Sequence, residues 1–226
     1  VLKLYFHHTP NPMKVAVLLE ELGQPYKIVP VDSFRGEQHS PAFRALNPNA
    51  KLPVIDDDGT IVFDSNAILL YLAKKAGRLL GNADERGSLL SWLMFVATGL
   101  GPYSGQAAHF LRVHTDSAYA SNRYRREAGR HLRVLDERLS TREYIATRDY
   151  SIVDISAWAW IDRMPFIFGA DDVLDATPSL KRWFATIDSR PAVVRAREIA
   201  AGIDFKAEFD EETLRSLFPQ NFTPAE

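Results

Sequence analysis

The chain has 226 residues, 46% of them hydrophobic and 25% charged, which is the composition of a folded globular protein with one or two domains. Its 27 basic and 29 acidic residues leave a net charge of −2, so no global charge invites nucleic acid or an anionic membrane. Cysteine is absent, which excludes disulfides, thiolate metal sites and a cysteine nucleophile; any thiol chemistry must use a thiol supplied from outside.

Leu2–Phe6 is apolar and rich in β formers and reads as a buried strand. Asn11 and Pro12 then predict a helix, with Asn11 as N-cap, Pro12 at the first helical position and Gly23 as the stop. Tyr26–Val31 is the next strand, parallel to the first if the helix between them is a right-handed crossover. A polar loop, Ser33 to Ser40, leads into a short helix at Pro41–Leu46. Leu52–Ile55 and Ile61–Phe63 flank Asp56-Asp57-Asp58-Gly59, a hairpin signal. Ser65–Ala76 is a helix closed by Gly77. The order βαβαββα therefore fills residues 1–77.

Residues 78–86 read as a connector, and residues 87–226 as an all-helical domain with a C-terminal tail. Helices are expected at Glu85–Phe110, Ala118–Leu139, Ile152–Ile161, Ser179–Asp188 and Ala192–Ala200. Ser151 and Asp154 form a capping-box pattern, with Tyr150 and Ile155 placed as a hydrophobic staple. Residues 87–111 carry no Asp, Glu, Lys or Arg, but their glycines, Pro102, Gln106 and His109 suit a buried helix better than a membrane span. The first apolar stretch is too short for a signal-peptide core, so a cytoplasmic location is expected. The tail from Asp210, acidic and then rich in Pro and Asn, is expected to be extended or loosely docked.

Four places in this order resemble the glutathione transferase superfamily, a thioredoxin-like domain joined to an all-α domain. Lys51-Leu52-Pro53-Val54 is similar to the family's strand entry with a cis proline. Asp64-Ser65-Asn66-Ala67-Ile68 resembles its acidic-Ser turn, and Ser151 to Asp154 its helix capping box. Thr9-Pro10-Asn11 with Leu18-Leu19-Glu20-Glu21 resembles the bacterial Nu-class and the Ure2p-like proteins, and a further segment beyond these four, from Gly99 to Phe110, is also similar to that group. The resemblance covers about residues 1–200. Two positions depart from the pattern: Pro12 stands where Gly is usual, removing a backbone donor, and Asp64 stands where Glu is frequent.

The site residues follow from this. A thiol with pKa near 8.5 needs donors and a positive helix end to ionise at neutral pH. The resemblance implies Asn11 as thiolate donor, with Thr9 sharing the task; on the residues alone Asn11 could be a cap and Thr9 a turn residue. Tyr5 is the rival donor used by other classes, read here as packing. Asp64 and Ser65 suit the ammonium and carboxylate at the γ-glutamyl end of glutathione. Leu52 offers its backbone ahead of Pro53, and Lys51 and Gln38 could hold the glycyl carboxylate. Arg123 lies in a basic stretch, 121–142, with seven arginines against three acids; it could reach a partner subunit's glutathione. Tyr103, Gln106, His109 and Phe110 follow a Gly-Pro break that can turn them toward a ligand cleft. No histidine spacing suits a metal.

The implied activity is glutathione-dependent reduction of disulfides by a homodimer that takes small molecules and binds neither nucleic acid nor membrane. One or two glutathiones per subunit are expected. The alternatives are a non-catalytic ligand-binding module and a conjugating or β-etherase-type lyase.

Overall fold

The computed structural model describes residues 1–222. The chain divides into two compact units, residues 1–68 together with the segment from Arg195 onward, and residues 69–194. In this partition the C-terminal segment groups with the first unit.

In the first unit β1 (Leu2–Phe6) lies between β2 (Tyr26–Pro30) and β3 (Val54–Asp57), and β4 (Thr60–Phe63) forms the edge. β1 runs parallel to β2, with Leu4 opposite Ile28, and antiparallel to β3, with Tyr5 opposite Val54. The β3–β4 turn centres on Asp58 (φ 50°) and Gly59 (φ 95°). Both have positive φ, as a tight primed hairpin turn demands, and Asp and Gly are among the residues that accept it. Along β1 the period-2 alternation sends Leu2, Leu4 and Phe6 into the core. Tyr5 points to the other face, where it meets Phe43 of α2 (Pro41–Leu46) edge-on at 6.1 Å and joins a cluster with Val31 and Val54.

Helix α1 (Pro10–Leu22) starts earlier than expected. Thr9, in extended backbone, is the N-cap, Pro10 opens the helix and Asn11 lies inside the first turn; Gly23 ends it at φ 64°. Pro12 is thus the third helical residue rather than the first.

The tail is also a correction. Residues 203–222 belong to the first unit, and Glu211–Leu217 forms a helix, α11, where an extended or loosely docked segment was expected. Asp210 caps it, its Oδ1 accepting from Thr213 N–H (2.9 Å), and Glu211 and Glu212 fill the first turn. Upstream, the Phe205 ring lies 4.3 Å from that of His7, and Lys206 N–H donates to Asp32 Oδ2 (2.8 Å). The buried Lys206 stem carries its ammonium to Asp210 and Glu212.

The second unit holds most of α3 (Ser65–Ala76), then α4 (Arg86–Phe95), α5 (Gly101–Ala108), α6 (Ala118–Leu139), α7 (Ile152–Ile161), α8 (Met164–Phe168), α9 (Pro178–Asp188) and the start of α10 (Pro191–Ala201); α11 (Glu211–Leu217) follows in the first unit. The expected Gly-Pro break is not a break. The chain stays helical through Pro102, and π turns at Val96–Leu100 and His109–Val113 flank α5. A wide turn ahead of proline accommodates the missing N–H and the ring's pressure on the preceding carbonyl. Gly99 and Gly101 permit close packing there: a Cβ would stand 2.6 Å from His131 Nε2 or 2.9 Å from Trp160 Nε1.

The Ser151–Asp154 capping box forms as expected. Asp154 is fully buried and also accepts from Ile145 N–H (3.0 Å) and Trp183 Nε1 (2.9 Å), tying the α7 start to α9. Burial pushes its carboxyl up, while these donors pull it down. Among the described residues no helix is long and apolar enough to cross a membrane, and no cluster of His, Asp and Glu is arranged to hold a metal.

Candidate functional site

The β1 strand delivers the chain to α1 through His7-His8-Thr9, and the site grows from that junction. An N-cap side chain ordinarily accepts from the N–H of the second or third helical residue. Here the third is Pro12, which has no N–H; the second, Asn11, keeps its N–H, but the Thr9 hydroxyl makes no cap bond to it. The departure from the family pattern removes one of the two donors a Thr9 cap could use, and this hydroxyl is left out of the cap. Thr9 is fixed through its backbone instead: its N–H donates to His7 O (2.7 Å) and its carbonyl accepts from Met13 N–H (3.2 Å).

Two residues on, the half-buried Asn11 accepts through Oδ1 from the Ser65 hydroxyl (3.3 Å). Its Nδ2 enters no hydrogen bond among the described residues. A hydroxyl and an amide N–H, both uncommitted, thus occupy the first turn of α1, where the positive end of the helix dipole falls.

Ser65 begins α3, and Asp64 precedes it in left-handed backbone (φ 71°). Asp64 is exposed, and its Oδ1 accepts from Asn66 N–H (2.9 Å) and Ala67 N–H (3.1 Å), so its carboxylate caps α3 with one oxygen. The Ser65 N–H takes no part in that cap. A carboxylate and a helix-start N–H side by side suit a zwitterionic amino-acid end.

The Leu52–Pro53 peptide is cis. The β3 ladder begins at Val54, so the Leu52 N–H and C=O stand ahead of it. Lys51 is exposed, and its carbonyl accepts from the buried Asn47 amide (2.8 Å), which anchors this turn.

Gln38 is buried and faces the chain's own C-terminal segment: its Nε2 donates to Ser216 O (3.1 Å) and Ser33 O (3.3 Å). His39 Nε2 meets the same Ser216 carbonyl at 2.8 Å. The amide expected to hold a ligand carboxylate is thus engaged by the end of α11. Tyr5 lies on the α2 face among Val31, Phe43 and Leu46, as a packing residue would.

The remaining expected residues belong to the second unit. Tyr103 packs against Tyr124 (6.2 Å) and His131 (5.4 Å), and Phe110 stacks on Tyr124 (5.2 Å, 10°). His109 contacts Phe110 and His114, and burial followed by the His114 charge lowers its pKa. Gln106 and Arg123 are exposed; Arg123 shares a shallow groove of about 400 Å³ with Arg126, Arg130 and Arg133 on α6.

Sequence reasoning passed over Lys14. It is 1% exposed, and its Nζ donates to Ser65 Oγ (3.3 Å) in the middle of the site. The signal was present: Lys14 is the one charged residue in the otherwise apolar stretch 12–19, every member of which is buried. His7, buried against Phe205 and accepting from Ser33 N–H (3.4 Å) beside Asp32, was equally unmarked.

Residues 8–75 match the glutathione S-transferase N-terminal domain model and residues 94–191 the C-terminal domain model. Disulfide-bond oxidoreductase YfcG of Escherichia coli is 37% identical over 207 residues, covering 87% of this chain and 94% of that protein. A glutathione transferase family member from Pseudomonas fluorescens, solved with two glutathiones bound, superposes with a TM-score of 0.82 at 37% identity, covering 86% of this chain and 91% of that one. The glutathione transferase URE2P6 of Phanerochaete chrysosporium, in complex with oxidised glutathione, gives 0.84 at 33% identity, covering 90% and 97%.

Proposed function

Because the chain belongs to the glutathione transferase superfamily, we propose that it is a Nu-class or Ure2p-like enzyme that reduces disulfides with glutathione. The observation that carries the reading is the pair of uncommitted donors at the start of α1, the Thr9 hydroxyl and Asn11 Nδ2, in a chain without cysteine. The protein has no thiolate of its own to form a mixed disulfide, so it must activate one that it binds. Relatives that carry glutathione or oxidised glutathione, and one named for disulfide-bond oxidoreduction, support the choice.

In this reading Asn11 and Thr9 donate to the glutathione sulfur and favour its thiolate; a hydrogen bond to a charged group contributes about 1.5–3 kcal/mol. Asp64 receives the γ-glutamyl ammonium, while the Ser65 N–H donates to its carboxylate. Leu52 pairs its backbone with the cysteinyl residue, and Lys51 meets the glycyl carboxylate. Gln38 joins them only if Ser216 O gives it up. The thiolate attacks one sulfur of the substrate disulfide; the S–S bond breaks, and the other sulfur leaves as a thiolate and takes a proton from solvent. A second glutathione thiolate then attacks the mixed disulfide, giving oxidised glutathione and the second substrate thiol. Two electrons pass from two glutathiones to one disulfide. Gln106, His109, Tyr103, Phe110 and Arg123 are proposed for the second molecule, in a cytoplasmic homodimer.

The test is enzyme-dependent reduction of bis(2-hydroxyethyl) disulfide at varied glutathione, coupled to measurement of oxidised glutathione. A rate above uncatalysed exchange, with one oxidised glutathione formed per disulfide consumed, supports the reading. A rate equal to the uncatalysed one overturns it.

A further inference from the structure

A lysine buried on the core face of a helix is costly, since its cation loses its hydration. Lys14 stands at such a place in α1, with its Nζ 3.3 Å from Ser65 Oγ. The Ser65 hydroxyl in turn lies 3.3 Å from Asn11 Oδ1. The three groups form a chain with a direction. An ammonium only donates, so Ser65 presents its oxygen to Lys14 and its hydrogen to Asn11. Asn11 must then offer its carbonyl oxygen inward, which turns its NH₂ outward.

From this geometry we propose that Lys14 is a positioning residue that, through Ser65, fixes the Asn11 side-chain amide with its donor end toward the bound thiol. The proposal rests on the reading of Asn11 as thiol donor and adds what holds it in the productive sense. The two ends of an asparagine amide have nearly the same shape and are told apart by their hydrogen-bond partners. Without Lys14 the Ser65 hydroxyl is free to rotate and accept from Asn11 Nδ2. The amide then turns over and faces the sulfur with an oxygen, which repels a thiolate. Burial pushes the Lys14 ammonium down to about 7, and the Asp64 carboxylate at the α3 cap opposes that fall. The lysine therefore keeps a substantial cationic fraction at neutral pH, in line with its part in the chain.

The experiment reads the pKa of the glutathione thiol in the bound complex, by thiolate ultraviolet absorbance against pH, for wild type, Lys14→Met, Asn11→Ala and the double variant. Binding of S-methylglutathione, which has no ionisable thiol, is measured alongside. The expected result is a bound-thiol pKa raised by about one unit in Lys14→Met, a tenfold loss of thiolate at a given pH below that pKa. S-methylglutathione binding should stay within a few-fold of wild type, and the double variant should be no worse than Asn11→Ala alone, since both act through one donor. A purely structural lysine would lower S-methylglutathione affinity or melting temperature and leave the thiol pKa in place. An unshifted pKa in Lys14→Met beside a raised one in Asn11→Ala overturns the Lys14 proposal and spares the site reading. An unshifted pKa in Asn11→Ala overturns both. If Lys14→Met does not fold, Ser65→Ala cuts the same chain from its other side, and an unchanged bound-thiol pKa in that variant refutes the proposal.

Discussion

Lys14→Met should make the protein more stable at acidic and neutral pH, and the gain should fade as the pH rises. The native lysine is pushed by burial from 10.5 down to about 7, whereas in the unfolded chain it is solvated. At about 1.36 kcal/mol per pK unit, that difference is a cost of about 5 kcal/mol for folding with the cation below pH 7. The methionine variant escapes it and loses one hydrogen bond to Ser65, about 1 kcal/mol. Between about pH 7 and 10.5 the unfolded wild-type chain binds more protons than the native one, so wild-type stability climbs with pH at this position while the variant has nothing to titrate there. Urea unfolding of both proteins at pH 6 and pH 9 measures the difference directly. The variant's advantage should shrink by about 2–3 kcal/mol between the two. A difference in stability that does not move with pH would show that Lys14 is not a buried, titrating cation, and the reasoning would fail.

Asn11→Ala should lower glutathione-dependent turnover by about 10- to 150-fold, whereas Tyr5→Phe, which keeps its edge-on contact with Phe43, should stay within a few-fold; steady-state rates decide. Asp154→Ala should destabilise the protein by at least about 3 kcal/mol in urea unfolding, because it strands the buried N–H groups of Ile145, Ser151 and Trp183. Phe205→Ala should cost about 3 kcal/mol and expose the segment from Asp204 onward to limited proteolysis, since this ring seats the tail against Phe6 and His7.

Local rules carried most of the fold. The alternation in Leu2–Phe6, the Asp58-Gly59 turn and the Ser151–Asp154 capping box each depend on neighbours within four residues, so their outcome is written in consecutive letters. Thr9, Asn11, Leu52, Asp64 and Ser65 were singled out by the resemblance to glutathione transferases, whose motifs fall at element junctions; on the residues alone Thr9 and Asn11 read equally as turn and cap. The helix start was misplaced by two residues, since Thr9-Pro10 and Asn11-Pro12 are both sound cap-and-proline pairs and one-dimensional rules do not choose between them. The choice had a chemical consequence, because it put Pro12, which has no N–H, at one of the two positions that can donate to a Thr9 cap.

What tertiary structure alone decided are contacts between distant parts of the chain. Lys14 and Ser65 are 51 residues apart, and no local pattern shows that a helical lysine will be roofed by another helix start. Gln38 and Ser216 are 178 apart, so a glutamine that reads as a ligand-binding surface residue becomes the seat of the C-terminal helix. The sequence by itself determined which groups can donate, accept and cap. Only the packing of β1, α1 and α3 decided which of those groups spend their hydrogen bonds on one another and which are left uncommitted, because that depends on burial and partner distance, quantities that arise only when segments far apart in sequence meet.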